Sequence, residues 1–315
     1  MENDNNKKTI ISEIISGLIF FLSIFALFTA TTIMSSDVLG VNNMSTITKV
    51  NVSNSEPDLY KVIIAPNPID LNPGSTYKVN CTGYVYDING WGDIIKANAT
   101  LYDTTQGNGG AIDNNHRYQN LSCNCTQFET ENFNASCTCT LDVFYYANNG
   151  TWRCNMTIMD QHGLKDTLNS STAVINSVIG INTPSEINYG NLSVTETSEE
   201  KIANISNYGN VPINISIRGY GGYDTNNPDN LSMTCNIGNI SILYERYSTI
   251  RGTSFTDMIN LSNITKEIDD FKLPIRTNDT NYGNDTNATY WRIYIPNSVA
   301  GSCNGTIEFY ATDSS

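Results

Sequence analysis

Residues 121–141 read LSCNCTQFETENFNASCTCTL and contain Cys123, Cys125, Cys137 and Cys139. Positions 123 and 139 have the same sum as positions 125 and 137, as opposed residues of one antiparallel ladder do. Two nested cross-strand disulfides would fit this register, although six neighbouring cysteines allow several connectivities. A zinc or iron–sulfur site is the alternative, and it would require a reducing compartment.

The other cysteines favour disulfides. Cys81 and Cys154 flank the CxC segments and would close a long loop, while Cys235 and Cys303 would pair later in the chain. Each half of the chain then has an even number of cysteines, and no thiol is left over. Disulfides of this density are typical of proteins outside the cytosol.

The N-terminal segment predicts a membrane-directed helix. Residues 14–34 carry no charge and are long enough to cross a bilayer, and Lys7 and Lys8 before them favour a cytoplasmic N-terminus. Residues 1–36 are therefore expected to be a signal peptide or a signal-anchor transmembrane helix, followed by a linker over 37–57. Glu13 at the start of the apolar run resembles prepilin-like N-termini, which would imply a filament subunit.

Beyond the linker, apolar and polar residues alternate in short runs separated by Asn, Gly and Pro. Val79, Cys81 and Val85 are predicted on one strand face, as are Trp152, Cys154, Met156 and Ile158 on another strand and Ile95, Ala97, Ala99 and Leu101 on a third. This pattern predicts an all-β chain with two tandem antiparallel β-sandwich domains, over 58–178 and 179–315.

The first domain resembles an immunoglobulin-like domain. Cys81 on an early strand and Cys154 on a late one are spaced like its B-to-F disulfide, and NNGTWRC replaces the family's D-x-G-x-Y-x-C. Trp152 stands where the family's corner tyrosine is expected. The resemblance implies a bridge from Cys81 to Cys154 between two sheets.

Asn-x-Ser/Thr sequons are in excess. The chain contains 21 of them, whereas chance placement of its Asn, Ser and Thr residues would give about 9. Several fall on strand faces opposite apolar or cysteine residues, which predicts solvent-exposed N-glycosylation sites. These are Asn80, Asn98, Asn124, Asn155 and Asn214.

Composition and motifs disfavour catalysis and nucleic-acid binding. A net charge of −14 provides no basic footprint for nucleic acid, and neither His116 nor His162 has neighbours arranged for a triad. No catalytic residue, metal site or cofactor is therefore predicted. Calcium is the open alternative in the loops DINGWGD (residues 87–93) and DTNNPDN (residues 224–230), although Asx residues in turns normally bond their own backbone.

Several longer motifs occur in both predicted domains: NGTWRCNMTIMDQHG in the first, and INYGNLSV, NYGNVPINISIRG and YWRIYIPNSVAGSCNGTIEFYA in the second. On these motifs the whole chain resembles archaeal surface proteins built from glycosylated Ig-like sandwiches. It implies a non-enzymatic structural or adhesive ectodomain at the cell surface. The implied partners are other envelope proteins or copies of the chain, with membrane contact through residues 14–34. The alternatives are a pilus-like filament subunit and a glycan- or cell-binding receptor. The receptor would use Trp91 as an exposed stacking platform, whereas a Trp91 folded back over the sheet edge would have no binding role.

Overall fold

The computed structural model describes residues 45–222, 230–277 and 283–314. The chain divides into two units, 1–53 and 54–315, and the second contains every strand of the described residues. No helix in these described ranges is long and apolar enough to span a membrane, and the helix predicted over 14–34 lies outside them.

The strands between residues 58 and 175 form two antiparallel sheets. They are β1 (Asp58–Ala65), β2 (Thr76–Tyr86), β3 (Ile94–Asp103), β4 (Arg117–Asn120), β5 (Asn124–Gln127), β6 (Asn134–Phe144), β7 (Gly150–Asp160), β8 (Lys165–Asn169) and β9 (Ala173–Ile175). One sheet has the order β1-β2-β6-β5 and the other β4-β3-β7-β8, with β9 also pairing β7. This is the A-B-E-D and C′-C-F-G order of an immunoglobulin-type sandwich.

The first sandwich encloses a core that contains most of the cysteines. Cys81 and Cys139 are opposed on β2 and β6 but are not bonded to each other. Cys81 forms a disulfide with Cys154 on the facing sheet, and Cys139 forms one with Cys123. Cys125 and Cys137 are opposed on β5 and β6 and are also bonded. These bonds are the nested and inter-sheet pairs that the sequence favoured.

Trp152 makes a contact like that of a corner tyrosine. Its side chain is fully buried two residues before Cys154, and its indole Nε1 donates to the carbonyl oxygen of Asn148 over 2.8 Å. In immunoglobulin domains the tyrosine hydroxyl bonds backbone a few residues upstream. The indole N–H therefore replaces the phenol, because both groups combine an apolar body with one donor.

Most of the predicted strand faces are confirmed, and one position on β3 is wrong. Ala97, Ala99 and Leu101 are buried as expected, but Ile95 is 60% exposed and Ile94 is buried instead. The ladder with β7 shifts register between Ile94 and Lys96. A bulge inserts one extra residue and so reverses the alternation before it.

The strands after residue 180 form a second pair of antiparallel sheets, ordered β10-β11-β18-β15-β16 and β14-β13-β19-β12-β17. They are β10 (Ile181–Asn182), β11 (Lys201–Asn207), β12 (Ile213–Gly221), β13 (Leu231–Ile237), β14 (Asn239–Ser241), β15 (Glu245–Ser248), β16 (Ile259–Asn260), β17 (Lys266–Leu273), β18 (Thr286–Ile293) and β19 (Ala300–Asp313). Short 3-10 helices occur at Trp91–Asp93, Ile242–Tyr244 and Phe255–Asp257. Trp291 is fully buried in this second core, and Cys235 bonds its opposed residue Cys303.

The tetrapeptide NYGN at residues 207–210 joins the two sandwiches. Asn210 donates through Nδ2 to the carbonyl oxygens of Ala147 and Asn176, and its Oδ1 accepts from the Val178 amide over 2.7 Å. The ring of Tyr208 lies 5.4 Å from that of Tyr145. These buried contacts place both sandwiches in one compact unit, so the domain boundary after residue 178 stays a prediction.

Candidate functional site

A group of exposed and half-buried aromatic side chains lies on the outward surface of the sheet β1-β2-β6-β5. We call it the aromatic face, and it consists of Tyr60, Tyr84, Tyr86, Phe128 and Phe133. Tyr84 is central, with its ring 6.4 Å from that of Tyr60 and 4.9 Å from that of Phe128. Tyr86 and Phe133 form a second pair 6.1 Å apart.

Strand alternation produces the aromatic face. Tyr84 and Tyr86 lie two residues apart on β2, and the residues between and beside them, Gly83 and Val85, are buried. Phe128 directly follows β5, where its amide donates to the carbonyl oxygen of Asn134 and so fixes the turn. A disulfide-braced sheet therefore holds the rings from behind.

Three rings of the aromatic face are open to solvent. Tyr60, Tyr86 and Phe133 are 49%, 40% and 41% exposed, whereas Tyr84 and Phe128 are half-buried. The Lys61 ammonium lies 5.6 Å from the Tyr84 ring centroid, a cation–π distance. Burial raises the pKa of the Tyr60 hydroxyl, and the Glu129 carboxylate raises it further. Exposed, rigid aromatic rings of this kind stack on sugar rings or on apolar side chains of a partner.

The aromatic face was not predicted from the sequence. Trp91 was the predicted stacking residue, but it is half-buried, packs against the first core and donates its amide hydrogen to the Asn132 carbonyl oxygen over 2.8 Å. The folded-back alternative for Trp91 is thus the one seen. The missed signal was available in TGYVYD, because Tyr84 and Tyr86 fall on the polar face that begins with Asn80 and Thr82.

The predicted glycosylation sites lie at the surface. Asn80, Asn98, Asn155 and Asn214 are half-buried and Asn124 is exposed, and no sequon asparagine within the described ranges is buried. Three asparagines are buried, and none of them belongs to a sequon: Asn115, Asn207 and Asn210. Sequons and core asparagines are therefore separate sets in the residues that the structure describes.

A polar cleft opens on the other sheet of the first sandwich, with a volume of about 380 Å³. Tyr102, Thr151, Arg153 and Asn169 are among its lining residues. The Tyr102 hydroxyl donates to the side-chain oxygen of Asn169 over 3.3 Å. Asn169 begins a sequon, so a glycan attached there would stand in the mouth of this cleft.

The two histidines lie in loops, and the buried titratable side chain of Glu245 lies in the core. His116 Nδ1 lies 2.7 Å from an Asp113 carboxylate oxygen in the loop before β4, and His162 lies in an exposed turn. Glu245 is buried, and burial raises its pKa to about 7, partly offset by a hydrogen bond from the Tyr189 hydroxyl. A carboxyl closed off from solvent in this way has no access to a substrate.

No protein-family model and no curated protein matches the chain. One chain of a solved chaperone–tip adhesion subunit pre-assembly complex from the Csu pili of Acinetobacter baumannii is similar over 79% of this chain and 99% of its own length, at 9% identity and a TM-score of 0.36. A carbohydrate-binding module of the β-sandwich superfamily overlaps 82% and 97%, at 12% identity and 0.23. The C-terminal domain of the Streptococcus pyogenes antigen I/II-family protein AspA overlaps 81% and 95%, at 8% identity and 0.22. All three TM-scores lie below 0.5, so these likenesses assign neither a family nor a function to this chain.

Proposed function

We propose that this chain is a non-enzymatic, N-glycosylated ectodomain at the cell surface, with a structural or adhesive role. The observation that carries the proposal is the separation of sequon asparagines from core asparagines, on strands whose inward faces hold disulfides. Glycans need solvent, and disulfides need an oxidising compartment. All eight cysteines are paired in four disulfides, which agrees with an extracellular location.

The aromatic face is the contact surface in this proposal. Glycans on Asn80 and Asn124 would cover the middle of the same outward surface, and the Lys78–Asp142 ion pair occupies its far end. The aromatic rings at the other end of this surface would not be covered by these glycans. A partner protein can therefore contact the apolar surface of the rings that the glycans leave exposed.

The location is tested by protease shaving of intact cells. Peptides from both sandwiches should be released without lysis, and mass spectrometry should find modified asparagine at exposed sequons. Asn115, Asn207 and Asn210 provide the internal control, because buried asparagines outside sequons should be unmodified. Peptides that appear only after lysis, or bare sequons throughout, would overturn the surface-glycoprotein proposal.

The contact surface is tested with the double variant Tyr60→Ser/Phe133→Ser. Both rings are exposed, so their removal should leave the fold intact while cell adhesion or self-association falls. Tyr244→Ser is the matched control, because Tyr244 is 36% exposed but belongs to the second sandwich. Equal adhesion by the double variant and the wild type would remove the aromatic face from the proposed function.

A glycan-binding receptor is the second candidate, because spaced exposed rings also suit sugar stacking. Binding of the same two variants to a panel of immobilised glycans separates the candidates. Sugar binding that disappears only in Tyr60→Ser/Phe133→Ser would favour the receptor. The filament alternative is tested by sequencing the N-terminus of the mature protein. A mature N-terminus between residues 9 and 13 would leave the apolar run at the start of the chain, where it could pack in a filament.

A further inference from the structure

Three aspartates lie together at one end of the first sandwich, away from the joint with the second. Asp87 directly follows β2, Asp93 directly precedes β3, and Asp160 ends β7. Ile94, next to Asp93, is opposed to Asp160 in the β3–β7 ladder, and the Gln161 amide donates to the Asp93 carbonyl oxygen over 3.0 Å. The Gly90 amide links Asp87 to the same turn.

All three aspartates are buried, with exposures of 1%, 4% and 0% for Asp87, Asp93 and Asp160. Buried carboxylates normally have a cation or several donors as partners, because desolvation strongly disfavours the isolated charge. The ion pairs formed within the described ranges include none of the three. Their combined negative charge is therefore not balanced by a neighbouring lysine or arginine in an ion pair.

The hydrogen bonds of these carboxylates differ. Both Asp160 oxygens are used, one by the His162 and Leu164 amides and the other by Asn54 Nδ2 over 2.7 Å. One Asp87 oxygen accepts from the Asn89 amide, but the other has no partner. Neither oxygen of Asp93 has a hydrogen-bond partner, although both are buried.

The electrostatics of the cluster agree with this geometry. Burial raises the pKa of Asp87, the Asn89 amide opposes that effect, and the charges of Asp93 and Asp160 raise the pKa further. Burial also opposes the ionisation of Asp160, but hydrogen bonds from Asn54, Leu164 and His162 outweigh it and lower its pKa. Asp160 is thus fully hydrogen-bonded and lies beside two carboxylates with free oxygens.

We propose that Asp87 and Asp93 bind one calcium ion through their three unpartnered carboxylate oxygens. In the described ranges, no three Asp, Glu, His or Cys side chains are grouped as a metal site, so Asp160 contributes its charge from outside the ligand set. Peptide carbonyl and water oxygens would complete the coordination, and calcium tolerates such a mixed and irregular set of oxygen ligands better than magnesium does, since magnesium demands near-ideal octahedral geometry. This inference does not depend on the proposed adhesive role.

The proposed ion would brace the surroundings of the aromatic face. The Asp87 amide donates to the Phe133 carbonyl oxygen and the Trp91 amide to that of Asn132, both over 2.8 Å. The Ser55 amide donates to Asn89 Oδ1, also over 2.8 Å. Calcium between Asp87 and Asp93 would therefore fix the loop that carries Phe133 and the first residues of the compact unit.

Asp93→Asn tests the calcium site in the full-length protein with all four disulfides formed. Thermal unfolding is followed with calcium and with a chelator, and terbium luminescence sensitised by nearby Trp91 reports direct binding. Wild-type protein should unfold on the order of 5 °C higher when calcium is at a hundredfold excess over its Kd. The variant should bind calcium and terbium at least about tenfold more weakly.

Folding failure can be distinguished from loss of the site. In chelator, Asp93→Asn should unfold no earlier than wild type, because it removes an unpartnered buried charge. Asp142→Asn is the matched control, since it removes one exposed carboxylate from the same sandwich and should bind calcium normally. A wild-type protein without a calcium shift or terbium signal would overturn the proposal, and so would wild-type affinity in Asp93→Asn or equal losses in both variants.

Discussion

Gly74 lies directly against the ring of Tyr208, so closely that a β-carbon at residue 74 would overlap the ring. The two residues belong to different sandwiches, and the Gly74 amide also donates to the Tyr208 carbonyl oxygen over 3.1 Å. Gly74 has a φ of +67°, which other residues adopt only with strain. One glycine thus permits both the turn before β2 and the close approach of the second sandwich.

Gly74→Ala should lower the free energy of unfolding by roughly 2–4 kcal/mol, the sum of left-handed backbone strain and overpacking against Tyr208. Gly107→Ala is the matched control, because Gly107 has a φ of +71° with open space around its α-carbon. Gly107→Ala should lower the free energy of unfolding by the backbone strain alone, about 1 kcal/mol. Chemical denaturation of both variants measures the difference, and equal losses would mean that the Tyr208 contact is unimportant.

Asn210→Asp should also weaken the joint between the sandwiches. The change keeps the oxygen that accepts from Val178 but removes the donors to Ala147 and Asn176, and it places a charge where the side chain is 2% exposed. A loss of about 2–4 kcal/mol is expected in denaturant unfolding. Asn297→Asp makes the same change at an exposed position and should be nearly neutral.

Glu245 should make stability depend on pH. Its folded pKa of about 7 lies above its ordinary value of 4.5, so the folded state binds more protons than the unfolded state between these values. Its contribution is therefore complete below pH 4.5 and is lost as pH rises through 7, by on the order of 3 kcal/mol. Glu245→Gln should remove this dependence and be the more stable protein at pH 8.

Denaturation of wild type and Glu245→Gln at several pH values between 4.5 and 8 gives the difference directly. Other acids titrate at the lower end of this range, but they cancel in that comparison. Glu267→Gln serves as the control, because Glu267 is exposed on β17 and its replacement should leave the pH profile of wild type unchanged. Parallel profiles for Glu245→Gln and wild type would contradict the prediction.

The disulfides should differ in their resistance to reduction. Cys81 and Cys154 are fully buried between the sheets, whereas Cys235 and Cys303 are half-buried in one ladder. The two loops span 73 and 68 residues, so loop-closure entropy barely distinguishes them and access of the reductant decides. Graded reduction with alkylation and peptide mass spectrometry should label Cys235 and Cys303 first. Simultaneous labelling of both pairs would show that reduction follows global unfolding.

The sequence predicted the features that repeat locally. The two-residue period of the strands correctly predicted that Cys81, Trp152 and Cys154 are buried, because successive side chains of a strand point alternately to the core and to solvent. For the same reason the equal sums of the CxC positions indicated nested disulfides as one of several possible connectivities. Where one extra residue enters β3, that logic failed for Ile95, since nothing in the local composition marks the bulge.

Features that depend on distant segments were not predicted. NYGN at 207–210 resembles a simple turn, but its Asn210 bonds backbone that lies more than thirty residues earlier. The loop with Asp87 and Asp93 was named from the sequence only as an alternative calcium site, because its composition is that of an ordinary Asx turn, and it is the burial of both residues beside Asp160 that distinguishes it. The sequence shows which residues have the composition of a turn or of an ion-binding loop. Tertiary packing decides whether the polar atoms of these residues find other hydrogen-bond partners.

If Asn80 is glycosylated as proposed, the alternation on β2 also fixes the order of two events in biosynthesis. Asn80 precedes Cys81 in the sequon Asn-Cys-Thr, and in the folded sheet it lies between β1 and β6, with its Oδ1 accepting from the Thr140 hydroxyl over 2.8 Å. A glycosyl-transferring enzyme cannot enclose an asparagine held between two paired strands. Sugar would therefore have to reach Asn80 while the chain is still emerging and Cys81 is still a thiol. An oxidant that acted first would leave this asparagine bare for the lifetime of the molecule.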